Sequence, residues 1–171
     1  SCAFSAPDVS CAIGPLAPLA STTVTIATRL TPAPVASVVN TATVAGGAGN
    51  DTVQMTAAAT LTDASFLNAS SVETLRLTGA STVTLGTNAA NAGIVNVVTG
   101  TAATSITDSN GITLNVNAAA LANNTVLTLV GSAAEVVTGL IGNITAGSLT
   151  GALTVTTGDA TDNTISITTG S

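Results

Sequence analysis

From Gly46 onward, short runs of β-branched and aliphatic residues return with a steady beat, and this rhythm limits the fold more than any other feature of the chain. The runs are Thr52–Thr56, Val72–Leu77, Thr82–Leu85, Ile94–Val98, Ser105–Thr107, Ile112–Val116, Val126–Val130, Leu153–Thr156 and Thr164–Thr168. Most stand about 10–12 residues apart with Gly, Asn, Asp and Ser between them, the spacing of strands in a sandwich, a barrel or a solenoid. Two features favour the solenoid. Asn and Gly fill the gaps, where corners call for left-handed backbone. The side chains are also small enough to stack coil on coil, with 33 Thr and 31 Ala in 171 residues and no Trp or Tyr. Two strands per coil predict coils of about 20 residues, about six of them over residues 46–171, and a rod about 30 Å long.

Residues 1–45 are written differently. All five prolines (Pro7, Pro15, Pro18, Pro32 and Pro34) and both cysteines lie there, and alternation over Thr22–Leu30 and Val38–Val44 predicts strands. Gly14-Pro15 and Thr31-Pro32-Ala33-Pro34 supply turns between them. The expected architecture is therefore all-β: a short antiparallel region over 1–45, then a β-solenoid of parallel β-helix type over 46–171.

Charge narrows the function. A net charge of −6, with Arg29 and Arg76 as the only cations, is the opposite of what a nucleic-acid partner requires, because phosphates are neutralised by clustered Lys and Arg. The mean hydropathy is high at +0.62. Yet Thr, Ser, Asn or Gly interrupts every stretch before it approaches the roughly 18 apolar residues of a spanning helix, so membrane insertion is not expected. Catalysis has little to work with. The chain has no His and no Lys, so its many Ser and Thr lack a base to activate them. No enzyme is expected.

Cys2 and Cys11, nine positions apart, are close enough for a hairpin-like excursion to bring their Cβ atoms within bridging distance. The alternatives are two free thiols or a metal site, the latter lacking further ligands. A disulfide would place the chain in an oxidising compartment, outside the cell or at its surface. The motif Gly46-Gly47-Ala48-Gly49-Asn50-Asp51-Thr52-Val53-Gln54 fits the calcium-binding nonapeptide G-G-x-G-x-D-x-U-x, with Asp51 as the hard carboxylate ligand. One copy supplies half a site, and a Gly-rich hinge between the two regions is the competing reading. Asp159 and Asp162 share the loop Gly158–Asn163 and form a second candidate for Ca²⁺ beside a plain solenoid corner. Sequons at Asn50, Asn68, Asn123 and Asn143 are glycan acceptors where the host glycosylates.

The wording S-C-A-F-S-A-P-D-V-S-C-A-I-G-P-L-A-P-L-A-S-T-T-V-T-I, followed by V-V-N-T-A-T-V, resembles the second half of an immunoglobulin-like repeat domain of bacterial and archaeal surface proteins. In that family the paired Cys, the L-A-P turn and the N-T-A-T-V strand recur. The resemblance implies a truncated sandwich with an uncovered sheet. Residues 46–171 resemble repeat stretches of giant RTX-type adhesins and S-layer-like surface proteins, through V-E-T-L-R-L-T-G at Val72–Gly79, Asn117–Leu140 and Gly151–Gly170. That resemblance implies an extracellular structural or adhesive role, often with calcium. The echo of Thr99-Gly100-Thr101 in Thr169-Gly170-Ser171 adds the expectation of a segment from a longer array. The expected function is non-catalytic: a structural protein of a bacterial surface layer, sheath or filament, self-associating through strand edges and solenoid ends. The alternative is a calcium-stabilised adhesin or binding module that contacts glycans or a cell surface.

Overall fold

The computed structural model describes residues 43–158 and 164–170 in full, together with the backbone of Cys2–Ser5 and Asp8–Cys11. The chain divides into two compact units, Ser1–Asn40 and Thr41–Ser171. In the first, β1 (Cys2–Ser5) and β2 (Asp8–Cys11) form an antiparallel hairpin that sets Cys2 opposite Cys11 and Ser5 opposite Asp8. The expected strands at Thr22–Leu30 and over residues 38–42 lie outside the described residues, and with them the immunoglobulin-like arrangement.

The second unit is a parallel β-solenoid of about six turns. It begins with β3 (Val44–Ala45), β4 (Thr52–Met55) and β5 (Ala59–Leu61), followed by a 3₁₀ turn at Asp63–Phe66 and β6 (Ala69–Ser70). Then come β7 (Thr74–Leu77), β8 (Ser81–Leu85), the six-residue helix α1 (Thr87–Ala92), β9 (Asn96–Val98) and β10 (Thr104–Asp108). The chain continues with β11 (Leu114–Asn117), β12 (Val126–Gly131), β13 (Glu135–Leu140), β14 (Asn143–Leu149), β15 (Leu153–Thr157) and β16 (Ile167–Thr169). Strands alternate between two six-stranded sheets, β4-β7-β9-β11-β13-β15 and β5-β8-β10-β12-β14-β16, parallel throughout, while β3 pairs with β6 on a third, short side. At the usual strand spacing, the first and last of six strands stand about 24 Å apart, which agrees with a rod of six coils.

Period-two alternation builds the core. From the first sheet, Val53, Leu75, Val97, Val116, Val137 and Val155 stack in register along the inside. From the second, Leu61, Val83, Ile106 and Leu129 do the same. Every coil thus places the same kind of aliphatic side chain over its predecessor, which buries apolar area without rings. Phe66 and the buried Ala89 and Ala92 of α1 fill the wider third side of the first coils.

Four strands were not read from the sequence: β5, β6, β13 and β14. In β13 and β14 the alternation is broken by Gly139 and Gly147, near register shifts against β15 and β12, so the apolar period does not show. The helix α1 was also unexpected. Its sequence, T-N-A-A-N-A, carries no helical apolar stripe, and what holds it comes from another coil.

Candidate functional site

The calcium-type motif lies at the start of the solenoid. Gly46 donates its N–H to the Ser70 carbonyl, which ties the loop to the third side of the coil, and Gly47 and Gly49 adopt φ of 103° and 116°. Asp51 follows, half-buried, and its N–H donates to Glu73 Oε2 at 2.8 Å, one coil further on. Asp51 Oδ2 is enclosed and has no hydrogen-bond partner. The motif therefore brings two carboxylate residues together, Asp51 and Glu73, of which the sequence reading had singled out only the first. Asp159 and Asp162 lie outside the described residues. Among the described residues no group of three or more acidic, His or Cys side chains gathers as a metal cluster would. Of the sequons, Asn50, Asn68 and Asn123 are exposed, whereas Asn143 is half-buried and its Oδ1 accepts from the Ser166 N–H.

Asp63 explains the helix. Its carboxylate accepts from the N–H groups of Gly86, Asn88 and Ala89 at 2.8, 3.1 and 3.0 Å and from Asn88 Nδ2 at 2.9 Å. The cap residue of α1, Gly86, has no side chain to serve its free amides, so a carboxylate from the preceding coil serves them instead. Partial burial tends to raise the Asp63 pKa, but the three backbone donors and the Asn88 amide together outweigh it and hold the carboxyl below its ordinary value. The stability it contributes is present above the unfolded-state value and is lost as pH falls through the folded one. Asp63→Ala should cost about 1–2 kcal/mol in urea unfolding at neutral pH, with the loss shrinking at strongly acid pH.

The deepest polar feature is a pair the sequence did not single out. In register, Leu85, Asp108, Gly131 and Leu149 form one inward column, and Leu114, Glu135 and Leu153 form another, flanking the corner at which the second sheet returns to the first. Each column thus carries one carboxylate: Asp108 lies between Leu85 and Gly131, and Glu135 between Leu114 and Leu153. Asp108 is 0% and Glu135 1% exposed. Asp108 Oδ1 accepts the Asn110 N–H at 3.0 Å, whereas Asp108 Oδ2 and both Glu135 carboxylate oxygens have no partner. Burial pushes Glu135 up to about 8, assisted by the Asp108 charge, and burial raises Asp108 too, against the Asn110 hydrogen bond. The signal was present in the alternation. Asp108 has the inward phase of Ile106, and Glu135 that of Val137, so reading each charge by its phase marks both as core positions.

The two outer faces differ from each other. On the second sheet, Thr60, Thr82, Ser105, Thr128, Thr145 and Thr168 lie in register, one hydroxyl residue per coil. On the first sheet the corresponding column reads Thr52, Thr74, Asn96, Asn115, Val136, Thr154, and the exposed Arg76 stands in the next one. Several polar side chains bond to carbonyls of the adjoining coil. Thr78 Oγ1 donates to the Met55 carbonyl at 2.7 Å, and the amides of Asn96 and Asn115 donate to Glu73 and Val95 at 3.4 and 3.3 Å. A shallow depression on the second sheet is lined by Thr60, Thr82, Ser105 and Thr128 with small neighbours such as Ala58 and Ala80. It offers methyl and hydroxyl groups without charge. No family model, no curated protein and no solved structure matches this chain.

Proposed function

We propose that the chain is a non-catalytic structural segment of an extracellular bacterial surface layer, sheath or filament. The observation that carries this reading is the pair of parallel six-strand ladders, with an outer column on the second sheet that repeats a hydroxyl residue in every coil. A surface that repeats in this way suits mechanical work and regular packing. Backbone hydrogen bonds between coils make such a rod stiff, because each coil is held by both neighbours. Among the described residues, β15 and β16 have a ladder partner on one side only, as do β4 and β5 at the other end. Unpaired strands of this kind accept a strand from a second copy, which supports head-to-tail assembly. An extracellular setting accords with the hairpin that sets Cys2 against Cys11, since residues directly opposite in an antiparallel pair stand at disulfide separation.

A second reading, a calcium-stabilised adhesive module, draws on one observation: Asp51, whose Oδ2 has no hydrogen-bond partner, donates its N–H to the carboxylate of Glu73 in the next coil. Electron microscopy of the purified protein with and without EGTA separates the two. Regular filaments or sheets that survive chelation are expected from the structural polymer. Single rods, or fibres that dissolve on chelation, would replace it with the adhesive module, and Asp51→Asn should then reproduce the effect of chelator.

A further inference from the structure

We propose that the buried pair Asp108 and Glu135 is a proton-operated joint in the middle of the rod. With a proton on the pair the corner joining coils three to five is held closed, and loss of that proton loosens it. The geometry sets the terms. Two carboxyl groups occupy inward positions in adjoining core columns, Asp108 between Leu85 and Gly131 and Glu135 between Leu114 and Leu153, fully buried, with three oxygens that no donor reaches. Among the described residues no cation faces them. The strands and corner segments packed against the pair are β8, β11, β12, β14, β15 and residues 109–113 and 132–134, and none carries another titratable or charged side chain. The other described charges, Asp51, Asp63, Glu73 and Arg76, belong to the first two coils. Two negative charges in such surroundings would bear the full cost of desolvation and their mutual repulsion.

A divalent cation is the alternative occupant. Ca²⁺ requires six to eight oxygens, and the pair supplies three unengaged ones, with the Asn110 side-chain oxygen already accepting from the Ile112 N–H at 2.7 Å. A proton requires a single oxygen.

The sign of the pH effect follows from Glu135. Its folded value lies near 8, above the ordinary 4.5, so the folded state binds more protons than the unfolded chain between those limits. Stability is fully present below about pH 4.5, falls as pH rises, and levels off above about 8. One extra proton held by the folded state makes the unfolding equilibrium constant rise about tenfold per pH unit inside this window.

The experiment is urea unfolding of the whole chain from pH 5 to 9.5, with hydrogen exchange at pH 6 and 9, for wild type, Glu135→Gln and Glu135→Leu. Leucine matches Leu114 and Leu153 in the column, so this variant keeps the test sound if the glutamine amide proves too costly to bury. The wild type should lose stability with rising pH, with protection relative to the intrinsic exchange rate falling at pH 9 only in β10–β14. Both variants should show a much flatter dependence and unchanged protection in that segment. A wild-type slope that persists in both variants, or a wild type without slope, would overturn the joint. So would a wild type stabilised at pH 9 by added Ca²⁺ when Glu135→Leu is not, because the pair would then be a cation site. Filament formation does not enter these readouts, so failure here is distinguishable from failure of the structural reading.

Discussion

Gly131→Ala is expected to destabilise the centre of the solenoid by about 3–5 kcal/mol. Gly131 has φ 123°, a region closed to side chains. A Cβ there would also fall on the carbonyl oxygen of Asp108, one coil below. That oxygen already accepts the N–H groups of Ser132 and Ala133 at 3.0 and 3.3 Å, which is how the chain turns from β12 toward β13. The methyl group therefore collides with backbone that has no freedom to retreat. Urea unfolding gives the comparison, with Gly147→Ala as the control. Gly147 has open space around it and ordinary φ, so alanine there should be neutral or stabilising by up to about 1 kcal/mol, through the entropy of the unfolded chain. Equal effects at the two glycines would mean that the Gly131 corner is not built as described.

Ile106→Ala should cost about 2–5 kcal/mol, whereas Ser105→Ala, one residue earlier, should change stability by no more than about 0.5 kcal/mol. Ile106 is fully buried between Val83 and Leu129 in the inner column, and Ser105 faces outward between Thr82 and Thr128. In a solenoid each coil touches only its neighbours, so the vacancy left by Ile106 weakens two interfaces at once and has no distant packing to absorb it. Hydrogen exchange should therefore accelerate first in β8, β10 and β12 of Ile106→Ala. Uniform acceleration across all coils would instead indicate a single cooperative core that does not divide by coil.

The second contrast depends on phase, and phase was legible in the sequence. The alternation of Thr82–Leu85, Ser105–Thr107 and Val126–Val130 marks inward and outward residues without any structure, because successive side chains of a strand must point to opposite faces. A repeat near 20 residues and small side chains pointed in the same direction. The solenoid was readable for that reason.

Where local pattern and local structure part company, the cause lies one coil away. The helix α1 has no apolar stripe of its own and forms because Asp63 supplies the acceptors its first amides lack. No inspection of residues 86–92 reveals this, since the capping group is about two dozen positions earlier. Asp51 and Glu73 are likewise neighbours only because one coil returns the chain to the same corner.

The sequence by itself determined the periodic part of this protein: most of the solenoid strands, the two-residue phase within them, and a β-solenoid of stacked coils of small residues. Those properties follow from alternation and side-chain volume, which are local. Only the tertiary structure decided the register, and register gave the charged residues their meaning. Along the chain Asp108 and Glu135 stand 27 positions apart among scattered carboxylates, and alternation gives each an inward phase without pairing them. They become a buried pair because the coils are stacked so that both fall at inward positions of one corner, where among the described residues no cation shares their charge.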